Sequence, residues 1–175
     1  MPLIHVETWI AAPIERCFDL MRSVDLHTAS TATTREKAVG GKTSGLLDTG
    51  DVVTWEAVHL GVRQRLTVRV TRCDRPTSFE DVMVRGAFAR FTHRHAFREE
   101  HGGTLMLDDF GYTAPLGVQA DRLFLERYMR RFLRSRAAFL KRTAESGAAA
   151  PGAVASGVVT PGAAAAGATA PGTTA

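Results

Sequence analysis

The sequence predicts an α+β fold in which a curved antiparallel sheet of about six or seven strands wraps one long C-terminal helix, with two short helices after the first strand. Three observations carry this reading. Strand-like segments joined by short turns fill the middle of the chain. A long amphipathic segment closes it, and the apolar face of that segment is too broad to be left in water. Connections such as Leu60-Gly61-Val62 and Glu100-His101-Gly102-Gly103 are too short for a crossover, so neighbouring strands must run antiparallel.

The elements follow in order. Leu3–Trp9 alternates and is rich in β-branched and aromatic side chains, which reads as a strand. Pro13 then sits where a helix prefers its first residue, and Ile14, Cys17, Phe18 and Met21 follow at helical spacing. Asp25–Thr31 reads as a second short helix or turn, followed by a polar stretch. The loop Gly40-Gly41-Lys42-Thr43-Ser44-Gly45 lacks the ending and spacing of a phosphate-cradling loop. Four or five strands come next, at Asp51–Leu60, Arg63–Cys73, Ser78–Arg85, Ala87–Arg98 and Thr104–Thr113. Pro115 and Gly117 break the pattern before the last helix. There Phe124, Leu125, Tyr128, Met129, Phe132, Leu133, Phe139 and Leu140 form one apolar arc, with Arg127, Arg130, Arg134 and Lys141 opposite. The sheet is the only concave surface on offer to cover that arc.

At 175 residues and 45% hydrophobic side chains, the chain is one domain long and can bury roughly 68–70% of the surface its unfolded form exposes. Cys17 and Cys73 stand apart from any second Cys or His at metal-ligand spacing, so neither a disulfide framework nor a zinc finger is indicated. The sequence opens with no basic-then-apolar leader and contains no apolar run of membrane-spanning length, so a cytoplasmic protein is expected. The net charge of +4 is concentrated: from Gln119 to Glu145, eight basic residues face three acidic ones. A basic helix reads first as a solvated face, and beyond that as a surface for weak contact with an anionic membrane. No aromatic residue interleaves with that outer charge, so nucleic acid is not an expected partner. Residues 146–175 hold no charged and no aromatic side chain, and Pro-Gly pairs recur at 151, 161 and 171. With nothing large to bury, this segment is expected to be a disordered tail on a domain spanning 1–145.

The chain resembles the START-like, helix-grip superfamily (the SRPBCC group), which includes lipid-transfer domains, plant pathogenesis-related proteins and polyketide cyclases or aromatases. The residues that carry the likeness are Val6-Glu7-Thr8-Trp9-Ile10-Ala11-Ala12-Pro13, Cys17-Phe18-Asp19-Leu20 and Val53-Thr54-Trp55-Glu56-Ala57. Asp74-Arg75-Pro76, Phe79 to Phe88, His93-Arg94-His95-Ala96-Phe97, Gly103-Thr104-Leu105-Met106 and Tyr112-Thr113-Ala114-Pro115-Leu116-Gly117 complete it. Their order along roughly Pro2 to Glu145 is the specific feature. The resemblance implies a deep apolar cavity between sheet and long helix that holds a lipid, a polyketide or another hydrophobic molecule. The superfamily shares no universal catalytic residue, so none is carried over.

Strand parity adds the chemistry. Along Ala87–Arg98 one face is Ala87, Ala89, Phe91, His93, His95 and Phe97, and the other is Phe88, Arg90, Thr92, Arg94, Ala96 and Arg98. The arginines belong in water, so both histidines point inward. Depending on register, Asp108 lies opposite His93 or His95, with Met106, Phe110 and Tyr112 on its face. On Asp51–Leu60 the Val53, Trp55, Ala57 and His59 face is assigned inward. Arg136 falls inside the apolar arc of the helix and needs a carboxylate, a ligand anion or a path to water. Asp81 and Asp108 are its candidate carboxylates. The polar groups expected at the cavity are thus His59, Asp81, His93, His95, Asp108 and Arg136. The apolar ones are Trp55, Met83, Phe91, Met106, Met129 and Phe132.

The function expected is binding or carriage of a hydrophobic, lipid- or polyketide-like small molecule in that cavity. The alternative is a cyclase or dehydratase with a His–Asp general base and Arg136 steadying an enolate. His93-x-His95 joined by His59 would make a three-imidazole metal site. No metal and no cofactor is assigned, and the oligomeric state is left open.

Overall fold

A computed structural model describes residues 2–113 and 122–147. Pro115, Gly117 and the expected tail from 148 onward lie outside the described residues. The elements are β1 (Leu3–Ile10), α1 (Ile14–Met21), α2 (Val24–Ser30), β2 (Lys37–Gly41), β3 (Val52–His59) and β4 (Val62–Asp74). They continue with β5 (Ser78–Arg85), β6 (Arg90–Glu100), β7 (Gly103–Thr113) and α3 (Arg122–Glu145). The strands form one antiparallel sheet in the order β1-β7-β6-β5-β4-β3-β2.

Alternation in β1 buries Ile4, Val6 and Ile10 and leaves Leu3, His5 and Glu7 exposed. Pro13 caps α1 rather than opening it, and the helix buries Ile14, Cys17, Phe18 and Leu20. Phe18 meets Phe97 of β6 edge to face at 5.5 Å, so α1 is pinned to the sheet. Ser23 caps α2, its hydroxyl accepting from the Leu26 amide at 3.1 Å.

Strand β2 is not in the sequence reading, which treats this stretch as polar loop. It is short and ends in two glycines, so neither alternation nor β-branched residues mark it. Gly41 ends it at φ 69°, where an added Cβ would strike the Val52 carbonyl.

Two hairpins turn on two residues, both at positive φ: Leu60 (54°) and Gly61 (79°), then His101 (51°) and Gly102 (75°). This is the pairing that matches the twist of the flanking strands. Leu60 bears a branched side chain in the left-handed region, which costs about 1 kcal/mol or more. Leu60→Asn is therefore expected to raise stability by about 1 kcal/mol, read as a higher urea midpoint with an unchanged slope.

Strand β6 starts at Arg90, not Ala87, because Gly86–Ala89 is a bend. Parity therefore fails for Phe88, which turns inward onto Phe91, Phe110 and Tyr112 at 5.6–6.0 Å. Beyond the bend the expected alternation holds: Phe91, His93, His95 and Phe97 are buried, and Arg90, Arg94 and Arg98 are exposed.

Helix α3 buries Met129, Leu133, Ala137, Leu140 and Ala144. Phe124, read as part of the apolar arc, is 56% exposed. Two of the outward cations fold back onto β1. Arg130 donates to the His5 carbonyl at 3.3 Å and Lys141 to the Trp9 carbonyl at 2.8 Å. At the same end, Glu145 accepts from the Ala11 amide, and Arg16 of α1 donates to the Thr143 and Ala144 carbonyls. Arg127, Arg131, Arg134 and Arg142 stay exposed. No helix among the described residues is long and apolar enough to cross a membrane.

Candidate functional site

Between the concave face of the sheet and α3 lies a cavity of about 440 Å³. Trp55 of β3, Leu66 of β4, Phe91 of β6 and Phe110 of β7 line the sheet side. Met129, Phe132 and Leu133 of α3 close it from above. The arrangement follows from periodicity: every second residue of each strand points to this side, and every third or fourth residue of α3 faces back.

Polar groups enter this apolar wall in two clusters. The first is built on β5, β6 and β7. Cα register sets His95 opposite Asp108 and His93 opposite Phe110. The hydrogen bond nonetheless runs diagonally, His93 Nε2 donating to Asp108 Oδ1. His95 Nδ1 is 3.4 Å from the same oxygen, and the two imidazoles lie 4.2 Å apart. Burial works to raise the Asp108 pKa, but His93 and His95 beside it hold the carboxyl well below its usual range. Burial, with His93 alongside, keeps the His95 pKa well below its ordinary value. Asp81 of β5 pairs with His93 in the neighbouring register. Burial pushes its pKa up to about 6, against the pull of His93 and Arg136. Asp81 retains accessible surface, but that surface belongs to the cavity wall.

The second cluster is one that sequence reasoning missed. Arg136 Nη2 donates to His27 Nδ1 at 2.9 Å. A guanidinium has no acceptor, so the His27 proton sits on Nε2, 3.1 Å from Glu36 Oε1. The His27 ring stacks on Trp55 with centroids 3.9 Å apart and planes 15° from parallel. Burial lowers the His27 pKa, and Arg136 lowers it further. Burial alone would raise Glu36, but His27 and Arg136 hold its carboxyl below the usual range. Arg136 Nε, Glu36 Oε2 and His27 Nε2 are buried without a well-directed hydrogen bond among the described residues, so His27 and Glu36 meet by proximity of charge and dipole. Asp81 and Asp108, the expected partners of Arg136, do not bond to it. His27 sits on a two-turn helix and Glu36 just before an unmarked strand, so no periodic signal exposes either.

Of the residues expected at the cavity, Trp55, His59, Asp81, Phe91, His93, His95, Met129, Phe132 and Arg136 stand in its wall. Met83, Met106 and Asp108 do not. Met83 lies against Gly86. Met106 is fully buried opposite Phe97, in the end of the interior that α1 fills. Asp108 is shielded behind His93, which it holds, and His95. His59 shares a 2.7 Å hydrogen bond with Tyr128, and the three-imidazole set is not formed. The metal-capable group that converges is Asp81, His93 and His95, one ligand atom from each lying within 4.8 Å of the others.

Two short helices, a seven-stranded sheet and a long helix laid over its hollow face also recur in solved structures. TTHA0849 from Thermus thermophilus superposes with a TM-score of 0.70 at 18% identity, over 85% of this chain and 100% of that one. A START superfamily protein from Mycobacterium smegmatis gives 0.65 at 13% identity, over 82% and 97% of the two chains. The protein has the START-like helix-grip fold. Major latex-like protein 151 from Panax ginseng gives 0.62 at 14% identity, over 82% and 97%. No protein-family profile and no curated protein matches the sequence, so the START-like likeness is one of fold.

Proposed function

We propose that this START-like chain binds or carries a hydrophobic small molecule, lipid- or polyketide-like, in the hollow between sheet and α3. The observation that supports it is the 440 Å³ apolar cavity with a few polar groups along its wall. That volume falls within the range of small-molecule sites, and the mix of aromatic lining and sparse polar anchors is what such sites use for affinity and orientation. The test is displacement of a fluorescent fatty-acid analogue from the full chain. One probe per chain is expected, with at least tenfold weaker binding in Leu66→Trp, which fills the hollow with an indole. Failure of every lipid-like probe, or undiminished binding by that variant, removes the reading.

A second reading, a cyclase- or dehydratase-type enzyme, draws on the imidazole of His93, which borders the hollow with a carboxylate fixed behind it. That is the geometry of an oriented general base, and Arg136 in the same wall would offset charge on an enolate. His93→Gln that keeps full turnover on a bound polyketide-like substrate would reject it.

A further inference from the structure

We propose that Asp81, His93 and His95 form a binding site for a divalent first-row transition-metal ion in the cavity wall. The three side chains rise from one patch of sheet. Asp81 and His93 are register partners on β5 and β6, and His95 follows His93 on the same face. Central strands hold such a constellation more firmly than loops do. Two imidazoles and one carboxylate are the donor set that zinc and ferrous iron take when positions are left open for water or substrate. The open side here is the hollow.

Two further observations point to an ion. Asp108 stands behind the imidazoles and accepts from His93 Nε2, which leaves the other nitrogen of that ring for a metal, while His95 Nδ1, 3.4 Å from the same oxygen, is buried without a hydrogen-bond partner among the described residues. A carboxylate behind a ligating histidine fixes its tautomer and orientation. The Asp81 carboxylate faces the hollow and takes no hydrogen bond from any described side chain. Ligand atoms about 2.1 Å from a tetrahedral ion stand about 3.4 Å apart. The three ligand atoms here lie within 4.8 Å of one another, and a turn of the Asp81 carboxylate, which no described side chain hydrogen-bonds, closes the difference. The wall is also short of fixed positive charge. Two carboxylates, those of Asp81 and Glu36, stand in it with a single guanidinium, that of Arg136. A divalent cation offsets that excess.

The full chain, stripped with a chelator and dialysed, is titrated with Zn(II) by calorimetry and with Co(II) by visible absorption, with no hydrophobic molecule present. One equivalent should bind with a Co(II) ligand-field band. Asp81→Asn and His95→Gln should each weaken binding at least as much as the roughly 10–100-fold typical of losing an outer-shell partner, with unchanged far-ultraviolet circular dichroism. Asp81→Asn removes a buried charge that no described side chain hydrogen-bonds, so it is expected to fold even if His95→Gln does not. Absence of binding, or binding that both variants retain, overturns the site. So does binding lost instead in His5→Gln, since His5, Glu7 and Asp109 form an exposed cluster with contacts of 2.5 and 3.0 Å. The titration does not depend on the lipid displacement assay, so either result can fail without the other.

Discussion

Glu36→Ala is expected to cost about 1–3 kcal/mol of folding stability, the loss typical when a buried polar group is left without its partner. The substitution takes the carboxylate away from His27 Nε2, 3.1 Å distant, and leaves the Arg136 guanidinium in the cavity wall with only a neutral His27 beside it. Reversible urea unfolding measures it, and a loss below about 1 kcal/mol would mean that Arg136 reaches water instead. The effect depends on pH with a defined sign. The Glu36 pKa is lower folded than unfolded, under the influence of His27 and Arg136 and more distantly of His59. Its stabilisation is therefore present above the unfolded value, near 4.5, and is lost as the pH falls through the depressed folded one. The gap between wild type and Glu36→Ala should accordingly be full at neutral pH and shrink below 4.5.

Phe18→Ala is the second large effect, about 3–5 kcal/mol, because deleting a buried phenyl ring loses both its transfer energy and the packing around the space left behind. Phe18 is fully buried, meets Phe97 edge to face, and has the Arg22 guanidinium 5.6 Å from its ring centre. Phe18→Leu keeps most of the volume and should lose clearly less. Equal losses in the two variants would show that the contribution is specifically aromatic. The fatty-acid probe should also be held less tightly by Phe18→Ala, since α1 fills one end of the interior.

What the sequence made legible was periodic. The β6 face was readable because arginines at every second position could not be buried, and that placed His93 and His95 inward. The extent of α3 and the anomaly of Arg136 were readable for the same reason. What it concealed lay where periodicity stops. Parity carried across the Gly86–Ala89 bend misassigned Phe88, and β2 gave no pattern to read. Facing inward is also a weaker condition than facing a hollow. Met106 and Asp108 satisfy the first but not the second, because helix packing decides which part of the interior is filled, and no local signal reports it. His27 and Glu36 come together with Arg136 through tertiary closure alone, across more than a hundred residues of chain in the case of His27.

The polar clasps on α3 are distributed unevenly. Lys141, Glu145 and the Arg16 contacts fasten its last turns to β1 and α1, whereas near its middle Arg130 bonds to β1 and Tyr128 to His59 of β3. The helix is thus tied to three different elements, β1, β3 and α1, along its described length. Tyr128 and His59 both stand in the cavity wall, so their bond is a direct strut across the hollow, and whatever occupies that space must fit around it.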